Sequence, residues 1–128
     1  MTPRFLELAE VIEVHRDQIE RYGGPPGVRD LRVLLSAVGM PQVGFAETYA
    51  HVDIYEMAAA YLFHITRNHP FVDGNKRTGL ASALIFLSLN GIELEVRTKS
   101  LVEMVESVAR GDLSKSGIAE FLRRHEVR

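Results

Sequence analysis

His69-Pro70-Phe71-Val72-Asp73-Gly74-Asn75-Lys76-Arg77-Thr78-Gly79 is the stretch on which the reading of this chain turns. It gathers a base, a carboxylate, an amide, two cations and glycine between two segments that read as buried helices. Charge at a break between apolar helices is costly unless it is paired or put to use. Downstream, Thr78 to Leu89 is apolar almost all round, and Asn90-Gly91 stops it. Upstream, Asp53 is placed to cap a helix from Ile54 to about Asn68. Its apolar residues fall at 54, 57, 58, 61, 62 and 65, and also at 59, 60 and 63. A helix apolar on so many sides is buried on several of them. The residue before a proline is pushed out of the right-handed helical region, so this helix must end near Asn68. The spacing therefore predicts a central antiparallel pair joined by the charged loop.

Amphipathic segments surround that pair. Thr2-Pro3 suits a helix start, followed by Phe5, Leu8, Ile12, His15, Ile19 and Tyr22 at three- and four-residue steps. His15 lies on the apolar stripe and reads as a hydrogen-bonded core or boundary histidine. Gly23 and Gly24 end the helix, and Pro25, Pro26 and Gly27 prevent its resumption. Asp30 caps a short helix from Leu31 to about Val38, stopped by Gly39 and Pro41. Residues 41–52 show no period; a short strand or flap is expected near 41–50, around Gln42 to Phe45. Phe45 and Tyr49 pack under that loop or dock a partner. Ile92 to Val96 alternates as a short strand would. Ser100 with Glu103 forms a capping-box pattern ahead of Leu101, Met104, Val105 and Val108, and Gly111 closes that helix. Ser114 or Ser116 starts the last one, with Ile118, Phe121, Leu122 and His125 on one side. Arg123, Arg124 and Arg128 near its end suit the helix dipole. The expected fold is all-α, a bundle of about six helices, in a single domain spanning residues 1–128.

The totals narrow the function classes. The 128 residues are 46% apolar and 25% charged, an ordinary globular composition. A net charge of −2 without a basic block argues against nonspecific nucleic-acid binding. The absence of cysteine excludes a disulfide framework and thiolate zinc, and fits a reducing cytoplasm. No signal-peptide succession opens the chain, and the run Thr78 to Ile92 is too short for a bilayer, which takes about 20 residues.

Within the loop, His69 is the natural general base, since only histidine ordinarily titrates near neutrality. Asp73 suits one position on a magnesium ion that otherwise holds water and phosphate oxygens. Gly74 permits positive φ or close backbone approach. Asn75, Lys76, Arg77 and Thr78 stand where the next helix begins, and open N–H groups there make an anion site. Lys76 and Arg77 oppose the dipole at that end, which makes sense if an anion is bound. Together these are the parts for phosphoryl or nucleotidyl transfer. The plainer alternatives are that Asn75 merely caps the helix and that Asp73 pairs with Arg77 or Lys76 without a metal. A zinc set of His51, Asp53, His64 and His69 fits poorly, because residues five apart do not share a helix face.

HPFVDGNKR, residues 69–77, resembles the Fic motif, HPFx(D/E)GNxR. RYGGPPGVRD at 21–30 and FLSLNGIEL at 86–94 resemble segments of the Doc (death-on-curing) branch of that family. The resemblance implies a small helical bundle with the motif between two central helices. It also implies transfer of part of a nucleotide to a target hydroxyl. Carried over by motif, His69 is the base or proton acceptor and Asp73 the magnesium ligand. Gly74 and Asn75 line the phosphate cradle, Arg77 contacts a phosphate, and Phe71 anchors the loop in the core.

Two departures bear on what is transferred. AMP-transferring members usually have glycine where this chain has Lys76, and a second arginine where it has Leu80. Both departures follow the Doc pattern. That pattern implies a toxin that places the terminal phosphate of ATP on translation elongation factor Tu, inhibiting translation. Asp73 and Gly74 remain intact, which keeps AMP transfer as the alternative, with a non-enzymatic helical binding module as the third reading. No glutamate is followed by glycine or asparagine, so the inhibitory pattern (S/T)xxxE(G/N) is missing. The expectation is inhibition in trans by a small Phd-type antitoxin.

Overall fold

In the computed structural model, which describes residues 2–43 and 53–127, six α-helices follow one another along the chain. They are α1 (Leu8–Tyr22), α2 (Leu31–Gly39), α3 (Ile54–Asn68), α4 (Asn75–Leu89), α5 (Thr98–Arg110) and α6 (Lys115–Arg124). A 3₁₀ turn, Met40–Gln42, extends α2. The all-α bundle expected from the sequence is what forms, and α3 is its axis, with α2, α4, α5 and α6 packed on it.

The α3–α4 pair owes its close approach to Gly79. A Cβ there would lie 2.8 Å from Thr66 Oγ1 and 3.1 Å from the Leu62 carbonyl. Around that contact the pair buries Ala58, Ala59, Tyr61, Leu62 and Ile65 from one helix and Ala83, Phe86 and Leu87 from the other. Removing a Leu62 side chain from such a site costs about 2–5 kcal/mol. The cap readings at Asp30, Asp53 and Ser114 hold, each side chain accepting from a first-turn N–H. Asp53 also pairs with Arg123, which ties the start of α3 to the end of α6.

Four local expectations are corrected. The first helix starts at Leu8 and not after Thr2, with the Glu10 carboxylate accepting from the Glu7 N–H at 2.9 Å. The residues ahead of it are outside the helix and have distant partners. The Leu6 N–H donates to Tyr61 Oη at 2.8 Å, and the Asn90 amide bonds both the N–H and the carbonyl of Arg4. Burial pushes the Tyr61 phenol up to about 12. α5 begins at Thr98 after Arg97, with no side-chain cap, so the Ser100–Glu103 box does not form. Ile92 to Val96 makes only a single bridge, Leu94 to Glu126, rather than a strand. Gln42 belongs to the 3₁₀ turn; the rest of the expected strand or flap, with Phe45 and Tyr49, lies outside the described residues. No helix among the described residues is long and apolar enough to cross a membrane.

Candidate active site

The loop from His69 to Gly74 joins the C-terminus of α3 to the N-terminus of α4. His69 closes α3 in the left-handed region, at φ 50° and ψ 58°. It is the only non-glycine with positive φ among the described residues, a conformation that costs of order 1–3 kcal/mol. The following proline explains the departure from the right-handed region. What retains it is Arg29, whose guanidinium donates to the carbonyls of Asn68 and His69. A cation on the last carbonyls of a helix also complements its dipole. The His69 ring is left exposed, with no hydrogen bond or ion pair among the described residues.

The segment 27–30 runs along the loop as a short antiparallel partner. Arg29 and Asp30 donate their N–H groups to the Pro70 carbonyl at 2.8 and 3.1 Å, and the Val72 N–H donates to the Gly27 carbonyl at 3.0 Å. Phe71 turns inward and is 1% exposed, the core anchor that the motif implies. His15 lies flat against it, centroids 3.8 Å apart and planes 4° from parallel. His15 Nε2 is 2.8 Å from the Asp73 carbonyl. A hydrogen-bonded, boundary histidine was expected; its partner 58 residues away could not be read from the helix pattern.

Asn75 does not cap the helix, of which it is the first residue, behind Gly74. Its Oδ1 accepts from the Phe71 N–H at 2.9 Å, and its Nδ2 donates to the Phe71 carbonyl at 3.0 Å. With the amide committed there, Asn75 offers an incoming ligand its main-chain N–H. Gly74, at φ 75°, precedes α4 without a side-chain cap. That positive φ favours glycine, and a Cβ there would also sit tightly, 3.2 Å from Ile19 Cδ1 and 3.4 Å from Arg77 Nη2. The N–H groups of Asn75, Lys76 and Arg77 have no acceptor among the described residues. They form the open end of a buried helix dipole.

The three charged residues diverge. Arg77 reaches back to α1, donating to the carbonyls of Gln18 and Gly23 at 3.4 and 3.0 Å, with Tyr22 5.6 Å beneath it. Lys76 leans the other way and pairs with Glu106 of α5 at 2.9 Å, both half exposed. Asp73 pairs with neither cation; its exposed carboxylate has no ion pair or hydrogen bond among the described residues. It lies against Gly24, where a Cβ would collide with it. The loop thus presents a base, a carboxylate and a set of N–H groups, while Arg77 and Lys76 stand beside them. The zinc set does not assemble. Asp53 is committed to Arg123, and His64 Nε2 lies 3.3 Å from Lys115 Nζ. Burial, helped by Lys115, pulls the His64 pKa down. His51 lies outside the described residues.

The sequence pattern of the Fic/DOC family matches residues 5–87, from the segment ahead of α1 to the last turn of α4. The chain belongs to the Fic/DOC family. Two relatives place it in the Doc branch. It is 38% identical to "Protein kinase doc" of Escherichia phage P1 over 122 residues, 94% of each chain. It is 37% identical to "Toxin Doc" of Mycolicibacterium smegmatis over 103 residues, 79% of each. The Fic/DOC match takes in the loop, both central helices and the α1 turn that supports them. Arg29 and Gly24, absent from the motif itself, are part of the site by contact.

Proposed function

We propose that this Doc-branch protein is a toxin that transfers the terminal phosphate of Mg-ATP to a protein hydroxyl. The proposed target is translation elongation factor Tu, and a small Phd-type antitoxin restrains the enzyme in trans. The observation that carries this reading is the 38% identity, over 94% of both chains, to a relative named as a protein kinase. A second feature agrees with it: Lys76 and Leu80 stand where AMP-transferring relatives have glycine and arginine.

The residues present suit a magnesium nucleotide. Among the described residues no three His, Asp or Glu side chains converge into a cage. A lone free carboxylate, Asp73, matches the way magnesium is shared between one carboxylate, water and phosphate oxygens. When bound, the ion would neutralise phosphate charge. The chain's own residues supply the rest. The open N–H groups of Asn75, Lys76 and Arg77 orient the phosphates at the α4 N-terminus. Lys76 can exchange Glu106 for a phosphate oxygen, because an exposed pair is worth only about 0–1 kcal/mol. His69, held outside the helix with its ring free, accepts the proton of the attacking hydroxyl. The hydroxyl oxygen then bonds to the terminal phosphorus as the bond to the ADP oxygen breaks.

AMP transfer is the second reading, favoured by intact Asp73 and Gly74. ATP labelled separately at the α- and γ-phosphates separates the two. With elongation factor Tu as acceptor, label from γ alone is expected; label from α alone would establish AMP transfer, and none would leave a binding module. His69→Ala should reduce transfer at least about 10²-fold, the lower end for a general base, with the melting curve unchanged. Retained transfer would remove His69 from the chemistry. Expression without an antitoxin should arrest bacterial growth, and co-expression of a Phd-type partner should relieve it.

A further inference from the structure

We infer that His15, on α1 and outside the motif, is a positioning residue that aims the Asp73 carboxylate. The inference rests on the reading of Asp73 as the metal ligand and concerns what holds that ligand in place.

A main-chain carbonyl can only accept, so the 2.8 Å contact between His15 Nε2 and the Asp73 oxygen fixes the proton on Nε2. The donor cannot swing. Its ring is 4% exposed and lies parallel to Phe71 at 3.8 Å. Phe71 is in turn held at both its N–H and its carbonyl by the Asn75 amide. The ring also floors the next residue: a Cβ on Gly74 would come 3.7 Å from His15 Cδ2. Fixing the Asp73 peptide fixes the direction of its Cα–Cβ bond. The main chain of Gly24, against which the carboxylate lies, limits where that side chain can go. A residue needed only to fill the core at this place would be phenylalanine or leucine. A buried polar ring is favourable only where its hydrogen bond is made, and the acceptor it meets belongs to the residue carrying the free carboxylate.

Orienting partners of metal ligands typically change metal affinity about 10–100-fold when removed. His15→Phe keeps the ring stack and removes the donor. His15→Gln removes the stack but carries an amide nitrogen the same number of bonds from Cα. Binding of Mn²⁺, followed by electron paramagnetic resonance with a non-hydrolysable ATP analogue present, should weaken about 10-fold or more in His15→Phe. His15→Gln should return to within about threefold of the parent, on the same principle. Unchanged Mn²⁺ binding in a folded His15→Phe protein would overturn the inference, as would a His15→Gln variant no better than His15→Phe. An independent measurement needs no variant. Nitrogen NMR of the histidine-labelled parent should show His15 as the Nε2–H tautomer, and a bare Nε2 would overturn the assignment. Asp73→Asn serves as the control: if it leaves Mn²⁺ binding intact, the metal reading of Asp73 fails, whatever His15 does.

Discussion

On its α1 side the loop is held through main-chain atoms, and on its α5 side through the tips of two charged side chains. His15, Arg29 and the 27–30 segment all bond to loop carbonyls or N–H groups, and Gly24 presses on Asp73 through its own backbone. Across the loop, Lys76 meets Glu106 at 2.9 Å in a half-exposed pair. On the proposed function, the groups that must not move, His69 as base and Asp73 as metal ligand, lie toward the first flank. Lys76, which that function would have change partners, lies toward the second. Rigidity and exchange are separated in space within one short loop.

Substitutions at three positions would break or sharpen that contrast. The largest effect is expected at Gly24, whose φ of 111° resists a side chain and whose Cβ would collide with the Asp73 carboxylate. Gly24→Val should lower kcat/KM by about 10²-fold, since a displacement near 1 Å can cost that much. It should also cost about 1–3 kcal/mol in urea denaturation from the strained backbone. Arg29→Ala comes next. It removes the cation from the α3 carboxyl end, worth about 0.3–1 kcal/mol of stability, and frees His69 to leave its strained conformation. A roughly 10-fold fall in kcat with unchanged KM for ATP is expected, about 1.4 kcal/mol of lost transition-state positioning. Arg29→Lys should recover little, because an ammonium lacks the planar fork that reaches both carbonyls. The smallest effect belongs to Glu106→Gln. An exposed pair is worth about 0–1 kcal/mol, so KM for ATP should shift by less than about fivefold, and downward as Lys76 is released. Salt should lessen even that difference. If Glu106→Gln rivalled Gly24→Val, the two flanks would be alike and the contrast would fail.

Much of this is legible in the sequence. The apolar faces of Ile54–Asn68 and Thr78–Leu89, the caps at Asp30, Asp53 and Ser114, and Pro70 after His69 are local signals, and they placed the loop on a helix N-terminus. What was not legible depends on partners distant in sequence. Thr2-Pro3 looks like a helix start, yet Arg4 and Leu6 stay outside the helix, bonded to Asn90 and Tyr61, 86 and 55 residues away. Ser100 and Glu103 matched a capping box, but α5 starts earlier, after Arg97. The motif named His69 and Asp73; it gave no sign that His15, Gly24 and Arg29 would hold them. The sequence places Lys76 at an anion site, and its present partner, Glu106, is 30 residues away on another helix.

Asn75 bonds to both main-chain groups of Phe71, so that one side chain does for the loop what a neighbouring strand does in a sheet. The loop is thereby ordered when the protein folds, without waiting for a nucleotide. Ordering a backbone costs roughly 1–2 kcal/mol per residue, and a floppy cradle would levy that on every binding event. If the chain binds a nucleotide as proposed, that affinity begins from a cradle already cast, and calorimetry should find its entropy governed by released water and ions rather than by the chain.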